Sequence, residues 1–149
     1  MIDITLPDGT IKQVQKSSTA MDLALSISEG LARNVLAAEV DGSIVDAYLP
    51  IETSASVKLL TWNDEDGKST MWHSSAHLMA EAIQFYYPNA KFAIGPPIEK
   101  GFYYDIDFMG ESFSENDLQK IEAKMKALAK AKNKYIRKEV SKQDAIAYF

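Results

Sequence analysis

Alternating apolar and polar positions in the first sixty residues predict a small sheet built from hairpins. IDITLPDGTIKQV, residues 2–14, has two apolar runs around Asp8-Gly9, and VLAAEVDGSIVDA, residues 35–47, repeats this pattern around Asp41-Gly42. An Asp-Gly pair between apolar runs is a strong hairpin signal. ASVKLLTW, residues 55–62, predicts one further strand.

STAMDLALSIS, residues 18–28, has apolar residues at helical spacing and Ser18 or Thr19 as a candidate N-cap. A hairpin, a helix and then further strands is the element order of a β-grasp fold, which we expect for residues 1–62. NDEDGKS, residues 63–69, is polar throughout and predicts a linker at a domain boundary. Its Asp64, Asp66 and Gly67 are similar to part of a calcium loop, but the later ligand positions are absent, so a linker is preferred.

Residues 63–149 predict a second α+β unit. We expect a helix over about 70–87, stopped by Pro88, and then two strands in AKFAIGPPIEKGFYYDIDF, residues 90–108, with a turn at Gly101. Ser114 and Asp117 predict a capping box at the start of a long helix. The predicted buried stripe of that helix is Leu118, Ile121, Met125 and Leu128. YIRKEV, residues 135–140, predicts a strand, and the last nine residues predict a helix.

Composition narrows the class of protein. Apolar residues make up 46% and charged residues 25%, the balance of a folded globular chain. The absence of cysteine excludes disulfides and thiolate chemistry within these residues. The first residues lack the features of a signal peptide, and no apolar run approaches the roughly 18 residues of a membrane span. Residues 1–114 are acidic, whereas residues 115–149 carry 9 basic and 5 acidic side chains, so only that segment favours nucleic acid.

Both histidines of the chain lie one helical turn apart, at His73 and His77. On a helical wheel they fall outside the predicted apolar arc, which contains Met71, Leu78, Met79, Ala82, Ile83, Phe85 and Tyr86. Such a pair, about 6 Å apart at Cβ, can hold one metal or one water. We expect His73 in the first turn, where the helix dipole favours neutral imidazole, and Glu81 as a candidate orienting partner. Spacing alone nevertheless favours two solvent-facing histidines.

Several stretches, taken in order, give a more specific result: ITLPDGT, MDLAL, VDGSIVDA, HSSAHLMAEAI, AIGPPIEKGFYYDIDF and VSKQDA. Together they resemble the N-terminal region of bacterial threonyl-tRNA synthetases over essentially all 149 residues. The resemblance implies a TGS β-grasp domain at 1–62 and, at 63–149, the first part of an editing domain similar to that of alanyl-tRNA synthetase. Such a domain hydrolyses serine wrongly attached to tRNA(Thr). The fold class implied is α+β.

In that family the editing motif is H-x-x-x-H, matched by His73 and His77, followed by C-x-x-x-H. The second motif is missing here, as are the catalytic core and the anticodon-binding domain, so we expect a fragment that is inactive alone. The resemblance implies no metal in the editing site, and ATP, magnesium and zinc in the absent core. It also implies binding of the tRNA(Thr) acceptor end, contact with the rest of the synthetase, a homodimer formed through the core, and a cytoplasmic location.

The resemblance adds lesser site candidates, each with a structural alternative. Tyr104 and Gly95 are candidates for substrate binding, although Tyr104 also fits a core and Gly95 a turn. Asp105 and Asp107 fit a solvated strand face. Lys120, Lys124 and Lys130 are candidates for contact with acceptor-stem phosphates, and a solvated helix is the alternative. The same alternatives hold for five further basic residues: Lys126, Lys132, Lys134, Arg137 and Lys138.

Three function classes therefore stay open. The first is part of a threonine–tRNA ligase with half an editing site. The second is a free-standing aminoacyl-tRNA deacylase, which would need the missing cysteine and histidine. The third is a non-catalytic module that binds RNA or protein through the β-grasp domain. A reading frame that continues into C-x-x-x-H and the class II motifs would distinguish the first class.

Overall fold

The computed structural model describes residues 1–133 and 135–148. Both helices and strands are present, which confirms the predicted α+β class. Residues 2–61 form the first unit, and the second is built around two long helices. The helices are α1 (Ala20–Ile27), α2 (Glu29–Ala32), α3 (Glu65–Tyr86), α4 (Glu115–Ala131) and α5 (Lys142–Tyr148).

Strands of the first unit build a mixed five-stranded sheet in the order β2-β1-β7-β4-β5. β1 pairs antiparallel with β2 and parallel with β7, while β7 pairs antiparallel with β4. A separate two-stranded pair, β3 with β6, lies beside α1. The strands are β1 (Ile2–Thr5), β2 (Ile11–Val14), β3 (Ser18–Thr19), β4 (Ala37–Val40), β5 (Ser43–Val45), β6 (Pro50–Ile51) and β7 (Ala55–Leu60).

This sheet and α1 form the predicted β-grasp arrangement. Gly9 and Gly42 occupy the two hairpin turns with φ of 84° and 82°, a conformation that side chains oppose. Thr19 begins α1 through a full capping box with Asp22: each residue's backbone N–H donates to the other's side chain. Alternate residues of β1 and β7 then pack beneath α1, forming a core that includes Ile4, Leu23 and Val57.

In the second unit, α4 packs against α3, and short strands flank them. The core consists of Ala82, Ile83, Tyr87, Ala90 and Ile121. The prediction of two strands in residues 90–108 is wrong, since four two-residue strands form instead. Proline lacks the N–H that a ladder requires, and Pro96-Pro97 divides the first predicted strand. The strands pair as β8 (Lys91–Phe92) with β11 (Ile106–Asp107) and β9 (Pro97–Ile98) with β10 (Gly101–Phe102).

The start of α3 also differs from the prediction. The helix begins at Glu65, so most of the predicted linker is helical. The predicted apolar arc of α3 is partly wrong, because Met71, Phe85 and Tyr86 are exposed. The buried stripe of α4 is correct for Ile121, Met125 and Leu128 but wrong for Leu118, whose side chain is 54% exposed. Leu118 lies in the first turn of α4, and its side chain is not part of the apolar cluster between α4 and α3.

The predicted strand at residues 135–140 does not form. Its apolar side chains Ile136 and Val140 are 79% and 61% exposed, and no described strand pairs with it. Strand propensity without a neighbouring strand leaves backbone groups unpaired, so this segment stays irregular. The final helix is present as α5 and has no buried residue. Lys134 and Phe149 lie outside the described residues.

Candidate functional site

The two imidazoles meet on an exposed face of α3. The Nε2 atoms of His73 and His77 are 3.1 Å apart, and the rings are perpendicular with centroids 4.7 Å apart. One Nε2 must therefore carry the hydrogen that the other accepts. Both side chains are solvent-accessible. The pair is thus a preformed polar unit at the surface, and its exposure also fits the alternative of two solvent-facing histidines.

The expected position of His73 in the first helical turn is wrong. Since α3 begins at Glu65, His73 lies in its third turn. The helix dipole acts on side chains mainly within the first turn, so the dipole argument made from the sequence does not apply to His73. The predicted orienting partner Glu81 makes no hydrogen bond with His77 among the described residues. It lines an open cavity of about 350 Å³ between α3 and the end of α4.

Gly95 and Tyr104 lie in contact with each other. A Cβ built on Gly95 would come within 2.6 Å of the Tyr104 ring, so only glycine leaves room for this packing. Phe92 also contacts the Tyr104 ring, with centroids 5.5 Å apart. The Tyr104 hydroxyl makes no hydrogen bond to the described residues and is therefore available as a donor. Packing against Tyr104 therefore explains why residue 95 is glycine. Because its hydroxyl makes no such bond, Tyr104 stays a candidate for substrate binding.

The two aspartates of the same segment behave as surface groups. Asp105 and Asp107 are both exposed. The Asp107 carboxylate accepts a hydrogen bond from the Met109 backbone N–H at 2.8 Å, which closes a local turn. This contact favours the solvated strand face that the sequence predicts.

The three candidate lysines of α4 differ in the contacts that their side chains make. Lys120 forms an ion pair with Asp117, with Nζ 3.1 Å from the carboxylate. Lys124 places its Nζ 3.4 Å from the centroid of the Phe85 ring. Lys130 is exposed and makes no ion pair with the described residues. Lys130 is therefore the lysine best placed for an external phosphate, and Lys134 lies outside the described part.

Comparison with known proteins finds similarity over the whole chain. The family model for the TGS domain matches residues 2–61. All 149 residues match proteins named threonine--tRNA ligase, with 62% identity in Cytophaga hutchinsonii, 51% in Parabacteroides distasonis and 50% in Desulfatibacillum aliphaticivorans. Over its whole length the chain is similar to the N-terminal part of proteins named threonine--tRNA ligase. It spans 23% of the length of each of these curated relatives, at the N-terminal end.

The match to the TGS family identifies the β-grasp unit as a TGS domain. Within residues 1–133 and 135–148, no cluster of three or more His, Cys, Asp or Glu side chains is close enough to hold a metal ion. In the same residues, no helix is long and apolar enough to cross a membrane. At the imidazole pair, two ring nitrogens on the exposed face of α3 can donate or accept hydrogen bonds.

Sequence reasoning missed a group of side chains where the TGS domain joins α3. Trp62 contacts Trp72 there, and Asp64 and Gly67 both lie against Thr61, although the sequence predicts a linker at residues 63–69. A glycine five residues before a tryptophan in a helix-compatible stretch was the available signal. It was outweighed by the polar composition, which is typical of linkers as well as of helix starts.

Proposed function

We propose that this chain is the N-terminal part of an enzyme that attaches threonine to tRNA(Thr) using ATP and hydrolyses mischarged seryl-tRNA(Thr). Residues 1–62 are its TGS domain, and residues 63–149 are the first part of its editing domain. The identity of 62% and 51% with named threonine–tRNA ligases over all 149 residues supports the first activity. The exposed imidazole pair with its 3.1 Å Nε2 contact is the observation that carries the second.

Editing follows from the small difference between the two amino acids. Serine lacks one methyl group of threonine, and a missing methyl in a pocket provides only about 1–3 kcal/mol of discrimination. Translation requires better accuracy than this, so a second site that removes serine is expected. The reaction is attack of water on the ester between the seryl carbonyl and the terminal ribose.

His73 and His77 are suited to orient the reactants of this hydrolysis. Their Nε2 atoms converge on one point beside solvent, where a water or the ester end of the substrate can replace the mutual hydrogen bond. Positioning a water and accepting its proton is the usual contribution of neutral histidine to ester hydrolysis. Tyr104 would add a hydroxyl donor for the substrate, while Gly95 allows the Tyr104 ring its position. The missing C-x-x-x-H motif would supply the rest of the site.

The remaining partners follow from the same proposal. The basic segment around α4, and Lys130 in particular, would contact phosphates of the acceptor stem without reading sequence. Lys120 and Lys124, already paired with Asp117 and Phe85, would contribute less. ATP, magnesium and zinc would bind the absent core, which would also form the homodimer, and the enzyme would act in the cytoplasm. The 149 residues alone would neither charge nor deacylate tRNA at a useful rate.

The test is His73→Ala in the complete synthetase. We expect threonylation to stay near normal while seryl-tRNA(Thr) accumulates when serine is supplied, because charging and proofreading use separate sites. The matched control is Gln84→Ala, which removes another exposed polar side chain from the same face of α3. Proofreading unchanged in His73→Ala would exclude this residue from the site. Deacylation by the 149-residue chain at the rate of the whole enzyme would favour the free-standing deacylase.

A further inference from the structure

The TGS domain and α3 are joined by a short, highly bonded segment. Only residues 61–64 separate the end of β7 at Leu60 from the start of α3 at Glu65. The Asp64 carboxylate folds back from the helix start and accepts hydrogen bonds from the Thr61 backbone N–H at 2.9 Å and the Thr61 hydroxyl at 3.2 Å. Its other oxygen lies 2.8 Å from the Lys58 Nζ on β7. These contacts lower the pKa of Asp64, with the Lys58 hydrogen bond as the largest cause.

Direct backbone packing adds a second constraint. Gly67, in the first turn of α3, is buried against the end of β7. A Cβ built on Gly67 would lie 2.0 Å from the Thr61 carbonyl oxygen, a distance that no side chain can occupy. The obstacle is backbone rather than a mobile side chain. Any larger residue at this position must therefore lift the helix away from the strand.

A row of aromatic rings extends the connection towards the imidazole pair. Trp62 lies edge-on to Trp72, with ring centroids 5.2 Å apart. Trp72 in turn contacts Phe102 of β10, with centroids 6.4 Å apart. Trp72 directly precedes His73 in the sequence. The rings thus connect the end of the TGS sheet, the histidine-bearing turn of α3 and the β9–β10 hairpin.

We propose that Asp64 and Gly67 are positioning residues that hold the TGS domain and α3 as one rigid body and so fix the orientation of the imidazole pair. The TGS domain then acts as a brace for the histidine helix, in addition to any ligand that it binds. The rigid connection stands on the structure alone. Its consequence for hydrolysis rests on the proposed editing function, and the two are tested separately.

The rigidity is measurable in the 149-residue chain, which has no cysteine of its own. Spin labels at Ser43→Cys, on the second TGS hairpin, and at Gln84→Cys, near the end of α3, occupy exposed positions. Pulsed electron–electron double resonance measures the distance between the two labels, and we expect a single narrow distance distribution. A broad or multiple distribution in this parent chain would overturn the proposal.

Gly67→Ala is the decisive variant. Relieving a 2.0 Å contact requires a shift of about 1 Å at the first turn, which is magnified along the roughly 25 Å of helix between Gly67 and Gln84. We expect the mean distance to shift or the distribution to widen about twofold. Gly30→Ala is the matched control, because Gly30 is also helical and its Cβ would meet only the Ser28 hydroxyl at 3.9 Å. If Gly67→Ala gives the same distance distribution as the parent chain, the proposal is refuted.

Asp64 provides a second pair of variants in case Gly67→Ala does not fold. Asp64→Ala removes the bonds to Thr61 and is expected to widen the distribution. Asp64→Asn keeps a side-chain oxygen for the Thr61 N–H and is expected to restore the narrow distribution. Equal distributions in Asp64→Ala and the parent chain would count against the proposal.

The functional arm uses the complete synthetase. Gly67→Ala is expected to reduce hydrolysis of preformed seryl-tRNA(Thr) at least about tenfold, since a small misplacement of catalytic groups has a large effect. Normal hydrolysis despite a shifted distance would overturn the role of the brace while leaving the rigid joint intact. The proposed editing function fails separately, if His73→Ala has no effect in the same assay.

Discussion

The two halves of this chain bury their apolar side chains to very different degrees. The TGS domain contains all four of the largest fully buried side chains among the described residues: Ile4, Leu23, Val57 and Leu60. In residues 63–148, large apolar side chains such as Phe85, Ile136 and Ile146 are mostly exposed, and the strands are two residues long. The first half therefore has a core of its own, whereas the second holds its helix in place through the joint and one small cluster. This contrast suggests that the imidazole pair depends on neighbouring domains for its precise position.

The largest expected effect is on the free energy of unfolding, and it is tested by truncating one leucine in each half. Leu60→Ala removes a side chain that is 0% exposed in the TGS core, whereas Leu118→Ala removes one that projects from α4 into solvent. Urea unfolding followed by circular dichroism should show a loss of about 2–5 kcal/mol in the free energy of unfolding for Leu60→Ala. Leu118→Ala should change it by no more than about 0.5 kcal/mol. Similar losses in both variants would remove the contrast between the halves.

The pH dependence of the two capping boxes gives a finer comparison. The Ser114 hydroxyl, with Lys120 and the Ser114 N–H, lowers the pKa of Asp117 in α4 to about 2, and the Thr19 N–H and hydroxyl lower that of Asp22 in α1. Because both pKa values lie below the usual 3.8, each carboxylate stabilises the folded state above about pH 4. For Asp117 that contribution is lost as the pH falls from about 4 towards 2, and for Asp22 it is lost below about pH 4. In an NMR titration, Ser114→Ala should raise the pKa of Asp117 and leave that of Asp22 unchanged.

The smallest expected effect is on the salt dependence of tRNA binding, and it concerns two lysines of α4. Lys130 is free of ion pairs among the described residues, whereas the Nζ of Lys126 lies 2.6 Å from the Glu122 carboxylate. If Lys130 contacts one phosphate, Lys130→Ala in the complete synthetase should reduce the slope of log affinity for tRNA(Thr) against log salt by about 1. Lys126→Ala serves as the control and should leave the slope nearly unchanged. Equal slopes in the wild type and Lys130→Ala would exclude the contact.

The same contrast explains how much the sequence could predict. In the TGS domain, Asp8-Gly9, Asp41-Gly42 and the Thr19 cap are local signals, and they correctly predicted both hairpins and α1. In the second half, the start of α3 depends on Asp64 bonding to Lys58 and on Gly67 packing against Thr61. Such tertiary contacts leave no periodic pattern in the sequence.

The candidate site shows the same division between local and tertiary information. Helical spacing correctly indicated that His73 and His77 lie close together and outside the core. The Tyr104 packing against Gly95 and the pairing of Lys124 with Phe85 depend on residues distant in sequence. Spacing alone therefore predicted the pair but not its surroundings. Strand propensity at residues 135–140 was misleading because no described strand is available to pair with it.

The most direct measurement of the central claim is single-turnover hydrolysis of preformed seryl-tRNA(Thr) by the complete synthetase. Removing a residue that positions or deprotonates the attacking water typically costs about 10²–10⁴-fold in rate. We expect His73→Ala and His77→Ala each to slow the reaction by at least about 100-fold, while threonyl transfer to tRNA(Thr) stays intact. Rates within twofold of the wild type in both variants would contradict the assignment of the imidazole pair to editing.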